Sequence, residues 1–161
     1  MASRCLIVAH RPLEEELLDS AVNNCLARAV RRFYVVAPLR RVKLKATVWT
    51  EGTWMPAERR AAMDATWEED SLRRETALDQ EWGRANDRLC HIVDRVRLAG
   101  GEAKGEVGAE NPLESTRLAL HRHGPFTEIL VSTSPSGIQR WVGLDLPARV
   151  TRITNVPVSA I

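Results

Sequence analysis

The sequence predicts a single α/β domain built on a doubly wound parallel β-sheet with helices on both faces. Two observations lead to this fold class. Short apolar segments without polar alternation, typical of strands buried on both faces, recur along the chain. The segments between several of them carry apolar residues at helical spacing, and strands that alternate with helices imply right-handed parallel crossovers. At 161 residues, one domain is expected over residues 1–161.

The first three predicted elements form a strand, a helix and a second strand. Residues 5–9 are continuously apolar and give the first strand. Between residues 13 and 32 the apolar positions define one helical face, with glutamates in the first turn and arginines in the last, as the helix dipole favours. Residues 33–37 repeat the buried-strand pattern.

The regular pattern stops after the second strand, and residues 40 to about 66 are predicted to form an insertion. Residues 42–48 alternate between apolar and polar, which suits either a half-exposed strand or an extended loop. A helical stripe then runs from Leu78 to Val96 and ends before Gly100 and Gly101.

The C-terminal part of the sequence predicts three more strands and two more helices. Residues 102–107 form a polar strand expected near a sheet edge. Asn111 is a good helix N-cap and Pro112 is tolerated at the first helical position, so a helix is predicted from Pro112 to about His123. The remaining elements are a fourth strand, a helix and a fifth strand, in the segments 128–132, 137–153 and 156–161.

Composition excludes several classes of protein. The chain has 44% hydrophobic and 27% charged residues, which is an ordinary globular balance, and its net charge of +2 does not indicate a nucleic-acid partner. No apolar stretch approaches the roughly 20 residues of a membrane span. Three scattered cysteines (Cys5, Cys25 and Cys90) without CxxC spacing predict neither a disulfide framework nor a metal site, and fit the reducing cytoplasm.

Two histidine-containing segments and one basic segment give weak signals for chemistry. His121 and His123 flank a helix end without further metal ligands nearby, and Cys90-His91 are adjacent on a helix and so point apart. The basic residues between 28 and 45, followed by Trp49 and Trp54, are better explained by a solvated loop than by nucleic acid. With no P-loop, Gly-x-Ser-x-Gly or HExxH motif, no catalytic residues are predicted.

The strongest candidate for a ligand site is the loop after the fourth strand, residues 132–137. It offers hydroxyls, small residues and backbone amides before a predicted helix, an arrangement that binds anions. Arg140, one turn further, is placed to supplement those amides. The alternative is that the loop only makes a turn and caps the helix, with Arg140 as an ordinary surface residue.

Five segments in order resemble the universal stress proteins, most clearly from Gly101 onward. The segments are 6–9, 34–37, 105–108 with Asn111-Pro112, 128–133, and 149–158 with its Asn155-Val-Pro-Val. The resemblance implies an adenine-nucleotide alpha-hydrolase-like (Rossmann-like) fold with five strands in the order 3-2-1-4-5, and a homodimer. It also implies a strand-four loop of the kind that holds ATP in some members of the family.

The strand-four loop departs from the Gly-x-x-Gly, nine residues, Gly-Ser/Thr motif of the nucleotide-binding members. Ser132 and Pro135 stand at the two glycine positions, and His10 stands where an aspartate usually ends the first strand. The resemblance therefore implies a divergent site for ATP, AMP or a smaller anion. The residues implied on the base side are Ala9, His10, Val36 and Ala37, and those facing the anion are Ser132, Thr133, Ser134, Ser136, Gly137 and Arg140.

Several alternatives remain open at this point. His10 either hydrogen-bonds a ligand or is simply satisfied by water. The first functional hypothesis is a cytoplasmic, homodimeric, stress-related protein that binds a ligand without turnover. The second is a protein-interaction module with a vestigial pocket, which uses the 40–67 insertion to recruit a partner. A weak ATP hydrolase comes third, because no base or metal ligand is identified.

Overall fold

The computed structural model describes residues 3–42, 57–133 and 145–161. Within these residues, strands and helices alternate from the first element to the last. The elements in chain order are β1 (Arg4–Val8), α1 (Glu15–Ala27), β2 (Arg32–Pro38), α2 (Ala57–Leu98), β3 (Glu102–Gly108), α3 (Pro112–His123), β4 (Glu128–Val131), α4 (Leu146–Thr151) and β5 (Val158–Ala160).

The five strands form one parallel sheet in the order β3-β2-β1-β4-β5, as predicted. The central strand β1 pairs with β2 on one side and with β4 on the other, so that Cys5 lies beside both Phe33 and Glu128. The polar strand β3 occupies one edge, in agreement with its sequence, and the short β5 occupies the other.

Each face of the sheet has its own core, because alternate residues of a strand point to opposite faces. Cys5 and Ile7 of β1, and Ala9 directly after it, pack against α1 and α2 together with Val22 and Ile92. The residues between them, among them Leu6 and Val8, pack on the other face with α3 and α4. Helices therefore cover both faces, which explains why β1 and β2 read as unbroken apolar runs.

Helix α3 begins at the residue that its sequence predicts. The side-chain oxygen of Asn111 accepts hydrogen bonds from the backbone amides of Leu113 (3.0 Å) and Glu114 (3.3 Å), and Pro112 occupies the first helical turn. These bonds satisfy two amides that have no partner within the helix.

Replacing Asn111 by alanine is expected to lower the free energy of unfolding by about 1 kcal/mol, because both amides lose their acceptor. Urea denaturation followed by circular dichroism measures the change. Asn111→Asp keeps an acceptor at the same place and is the matched control. A loss in Asn111→Ala no larger than in Asn111→Asp would contradict the capping role.

Helix α2 is longer than the predicted stripe. It has 42 residues and begins at Ala57, so residues 57–66, which the sequence assigned to the insertion, form its first turns. Residues 43–56 of the predicted insertion lie outside the described residues. Periodicity did not reveal these turns because, among the described side chains of residues 57–80, none is buried.

The buried residues of α2 lie in its C-terminal half, where Ala85, Ile92, Val93 and Val96 pack on the sheet. The 24 residues before Glu81 would span about 36 Å of helix. No described helix, α2 included, combines the length and the apolar character needed to cross a membrane.

Candidate functional site

The candidate site lies at the carboxyl edge of the sheet, where β1 lies between β2 and β4. The chain runs from β1 to β2 in one direction and β4 returns on the other side of β1, so strand order reverses here. Open parallel sheets bind ligands at such a reversal. The chain segments at this edge are residues 9–11, 39–40 and 132–133.

Three of the predicted residues are structural at this edge. Ala9, Val36 and Ala37 are fully buried, and their side chains belong to the two core clusters. The backbone amide of Ala9 donates to the carbonyl oxygen of Val36 (2.8 Å), which extends the pairing of β1 with β2. These residues therefore belong to the core below this edge, and their contact with a ligand remains a prediction from the sequence.

Ser132 and Thr133 hold neighbouring segments together. The Ser132 hydroxyl oxygen accepts a hydrogen bond from the backbone amide of Arg11 (2.7 Å), and Ser132 is only 1% exposed. The backbone amide of Thr133 donates to the carbonyl oxygen of Ile161 (2.9 Å), next to β5. Ser132 thus fixes the turn after β1, and Thr133 fixes the chain after β5.

The other predicted anion-facing residues, Ser134, Ser136, Gly137 and Arg140, lie outside the described residues. Their placement in the site remains a prediction from the sequence.

His10 lies half-buried at the end of β1, and its Nδ1 atom is buried without a hydrogen-bond partner. Burial, and after it the nearby charges of Arg11, Arg40 and Arg88, together lower the pKa of His10 from 6.5 to about 4. The imidazole is therefore neutral at neutral pH. A buried ring nitrogen without a partner is a place where a ligand atom gains a hydrogen bond.

Charged residues from the segment after β2 and from α2 lie near this histidine. Arg88 donates to the carbonyl oxygen of Pro38 (2.9 Å), and its Nη2 lies 3.6 Å from Oε1 of the buried Glu81. The same Glu81 oxygen accepts a hydrogen bond from the backbone amide of Arg40 (2.8 Å). Glu81 thereby anchors the end of β2 to α2 and holds Arg88 in place.

The charge of this group is positive. Arg11, Arg40 and Arg88 all lower the pKa of His10, whereas Glu81 is the carboxylate that contacts Arg88. The Nε atoms of Arg40 and Arg88 are buried without hydrogen-bond partners. Burial and the charge of Arg40 also lower the pKa of Arg88. An anion in this position would satisfy free donors and reduce the repulsion between the guanidinium groups.

A cavity of about 250 Å³ lies beside this group, between the turn after β1 and helix α2. Its wall combines charged and polar residues with apolar ones, and most of its surface is apolar. The lining residues are Arg11, Pro12, Leu13, Asp87, Arg88, His91 and Ile92. Arg11 and Arg88 are therefore reachable from both the histidine and the cavity.

The sequence did not indicate Arg11, Glu81 or Arg88 as site residues, and Arg40 was noted only as part of a basic segment. A signal for two of them was present, because Glu81 and Arg88 stand four before and three after the buried Ala85. Charged residues on the buried face of a helix are rare unless they are paired. Nothing in the sequence indicated which strand ends they would meet.

Protonation of His10 gives the site a measurable pH dependence. Because the pKa of about 4 in the folded protein lies below 6.5, the unfolded chain binds a proton between these pH values that the folded chain does not. The free energy of unfolding therefore falls as pH decreases from 6.5 to 4. His10→Asn should reduce this fall by about 1–2 kcal/mol after allowance for solvent screening.

Urea denaturation at several pH values measures this difference between the variant and the wild-type protein. His121→Asn, at an exposed histidine, is the matched control and should keep the wild-type dependence. Equal pH profiles for His10→Asn and the wild type would rule out a depressed His10 pKa.

Several solved structures have this architecture. The universal stress protein from Archaeoglobus fulgidus superposes with a TM-score of 0.54 at 15% identity, over 100% of this chain and 94% of that one. The chain has the fold of the universal stress proteins. A universal stress protein in complex with cAMP gives a TM-score of 0.55 at 14% identity, over 100% of this chain and 98% of that one.

A second structure of the A. fulgidus universal stress protein, in complex with dAMP, gives a TM-score of 0.52 at 17% identity, over 100% of this chain and 98% of that one. No protein-family model matches the sequence, and no curated protein matches it significantly. The universal stress protein fold predicted from the five segments is thus confirmed, at identities low enough that the fold alone is shared.

Proposed function

We propose that the protein binds an adenine nucleotide, or a smaller phosphate-like anion, at the carboxyl edge of the sheet. One observation carries the proposal: Arg40 and Arg88 offer buried, unpartnered donors beside the neutral His10. Proteins of the same fold in complex with dAMP and with cAMP give further support. The binding would regulate a stress response in the cytoplasm, to which the three free cysteines are suited.

In this proposal the arginines bind the phosphate. Arg40 is half-buried and the side chain of Arg88 is 14% exposed, so their charges are less screened than those of surface side chains. A phosphate accepts paired hydrogen bonds from guanidinium groups, and it would balance the positive charge that Glu81 alone leaves uncompensated. His10 supplies one more hydrogen-bonding atom at the end of β1.

We propose binding without turnover. His10, with a pKa of about 4, is a weak general base at neutral pH. Glu81 is buried and engaged by the Arg40 amide and by Arg88. Neither of these two groups is therefore available for proton transfer at neutral pH.

Calorimetric titration with AMP, ATP, cAMP and inorganic phosphate tests the proposal. Arg40→Ala should weaken binding by about 10- to 100-fold, the effect of losing a hydrogen bond to a charged group. The variant keeps the backbone amide that binds Glu81, so the fold is expected to persist. Arg41→Ala, at the exposed neighbouring position, is the matched control and should bind as the wild type does.

The proposal fails if none of the four ligands binds at millimolar concentration, or if Arg40→Ala and Arg41→Ala bind equally well. Separate titrations distinguish the ligand classes. Tighter binding of AMP than of inorganic phosphate supports an adenine nucleotide, and equal affinities support the smaller anion.

We also propose that the chain forms a homodimer, with two surfaces available for it. Within the described residues, β5 pairs only with β4, which leaves its other edge available to a second copy. The N-terminal half of α2 exposes Trp67 (59%) and Leu72 (63%). Sedimentation velocity of a Trp67→Ser, Leu72→Ser variant separates the two surfaces: a monomer indicates α2 and an unchanged dimer indicates β5. A monomeric wild type would contradict the dimer.

A protein-interaction module is the second candidate function. It is favoured by the exposure of Trp67 and Leu72 in the N-terminal half of α2, where none of the described side chains is buried. The two functions make different predictions for the same proteins. If α2 is the functional surface, the Trp67→Ser, Leu72→Ser variant loses function in cells while ligand binding persists. If the carboxyl edge is the functional site, Arg40→Ala instead weakens ligand binding and loses function, while the Trp67→Ser, Leu72→Ser variant keeps both.

A further inference from the structure

A second cluster of reactive side chains lies at the amino end of the sheet, opposite the candidate site. It combines Cys5 at the start of β1, Cys25 in the last turn of α1 and Glu128 at the start of β4. Cys5 and Glu128 are neighbours in the parallel pairing of β1 with β4. The two sulfur atoms and one carboxylate oxygen all lie within 4.8 Å of one another.

The cluster is buried and contains an unsatisfied charged group. Both cysteines are fully buried and Glu128 is 9% exposed. Oε2 of Glu128 accepts a hydrogen bond from Arg28 (2.5 Å), but Oε1 is buried without any partner. A buried carboxylate oxygen without a partner is unfavourable, so a hydrogen-bond donor or a cation at this position would be stabilising.

The geometry suits a small tetrahedral cation. Zinc binds sulfur at about 2.3 Å and carboxylate oxygen at about 2.0–2.2 Å, which places its ligand atoms about 3.5–3.8 Å apart. Three atoms within 4.8 Å of one another reach that spacing with small side-chain movements. Thiolate ligands select thiophilic ions over magnesium and calcium.

We propose that Cys5, Cys25 and Glu128 bind one thiophilic divalent cation of the zinc type, with water as the fourth ligand. On binding, each thiol loses its proton to solvent and forms a sulfur–metal bond, while Glu128 binds through Oε1. The charges of the cation, two thiolates, one carboxylate and Arg28 then sum to zero. Arg28 remains on Oε2 as an outer partner that orients the carboxylate.

Arg28 also provides the route to the cluster. Its side chain is 63% exposed and lies over Glu128, whose side chain is 11% exposed. Movement of this arginine would expose more of the Glu128 side chain to solvent. In addition, its Nη2 lies 3.7 Å from the Cys25 sulfur, where a positive charge favours the thiolate.

The three ligands come from β1, α1 and β4, and they meet only in the folded protein. The spacing of the cysteines in the sequence did not predict this site, because the three ligands come from separate elements.

Titration of the fully reduced, full-length protein with Co²⁺ and Zn²⁺ tests the proposal. One equivalent of Co²⁺ should give the thiolate-to-metal charge-transfer band and the strong visible bands of a tetrahedral site, and Zn²⁺ should displace it. Cys25→Ser should abolish the charge-transfer band or weaken the affinity for zinc by at least about 100-fold. Cys90→Ser, at the exposed cysteine outside the cluster, is the control and should bind as the wild type does.

Glu128→Gln keeps the shape of the side chain and removes the ligand charge. It should weaken zinc binding by at least about 10-fold with an unchanged far-ultraviolet circular dichroism spectrum, so the proposal stays testable if Cys25→Ser fails to fold. Absence of the cobalt band, a zinc dissociation constant above about 1 μM, or a band lost equally in Cys90→Ser would overturn it. So would a failure of the reduced protein to bind metal together with a Cys5–Cys25 disulfide in protein purified without reductant.

Discussion

Glu81→Ala is expected to lower the free energy of unfolding by about 3–5 kcal/mol, which is the effect of leaving a buried charge without its partner. The Glu81 side chain is 6% exposed and contacts Arg88, and it accepts a hydrogen bond from the backbone amide of Arg40. Without it, the 14%-exposed Arg88 would be left with the Pro38 carbonyl and a desolvated charge. Urea denaturation at neutral pH measures the loss.

Two variants on the same helix separate charge from helix propensity. Glu69→Ala removes a carboxylate that is 69% exposed and pairs with Arg73, and should change stability by no more than about 0.5 kcal/mol. Glu81→Gln keeps an acceptor for the Arg40 amide but not the charge, and should fall between the two. A loss below about 1 kcal/mol in Glu81→Ala would show that Arg88 does not depend on this carboxylate.

Ile7→Ala is expected to lower the free energy of unfolding by about 3–5 kcal/mol, through lost burial and the cavity left behind. Ile7 is fully buried on the central strand, paired with Val35 of β2 and Leu130 of β4, and faces α1 and α2. Since both neighbouring strands hold the backbone of β1 in place, the space cannot close easily. The loss would be a large part of the roughly 5–15 kcal/mol that stabilises an ordinary domain.

Leu17→Ala is the control for Ile7→Ala, because Leu17 lies on α1 with 52% of its surface exposed. Its expected loss is about 1 kcal/mol or less. The midpoint of denaturation by urea should shift in Ile7→Ala with an unchanged slope. Equal losses at the two positions would contradict the central place of β1 in the core.

Most of the fold could be predicted from the sequence because the patterns that specify its strands and the start of α3 are local. The apolar runs of β1 and β2 follow from burial on both faces, and Asn111 followed by Pro112 specifies the start of α3. Where the local signal was absent, the prediction was too short. The first turns of α2 carry no buried described residue, so periodicity located only the half that packs on the sheet.

The carboxyl edge of the sheet was the predicted place for a ligand, but the sequence did not indicate several of the polar groups that meet there. Parallel strands put their carboxyl ends together, so the segments after β1, β2 and β4 were expected to meet. Glu81 and Arg88 reach that edge from the middle of α2, more than 40 positions after β2. Ser132, in contrast, fixes the turn at Arg11 through a hydrogen bond between residues 121 positions apart, which no local pattern encodes.

By itself, the sequence determined the strands and the start of α3, because hydrophobic period and capping act over a few neighbouring residues, and the order of its segments carried the resemblance to the universal stress protein fold. Only the tertiary structure decided which polar groups are buried together. His10 with Arg40 and Arg88, and Cys5 with Cys25 and Glu128, each meet through the packing of separate elements on the sheet. Their charges and pKa values arise from desolvation and proximity, which exist only once the chain has folded.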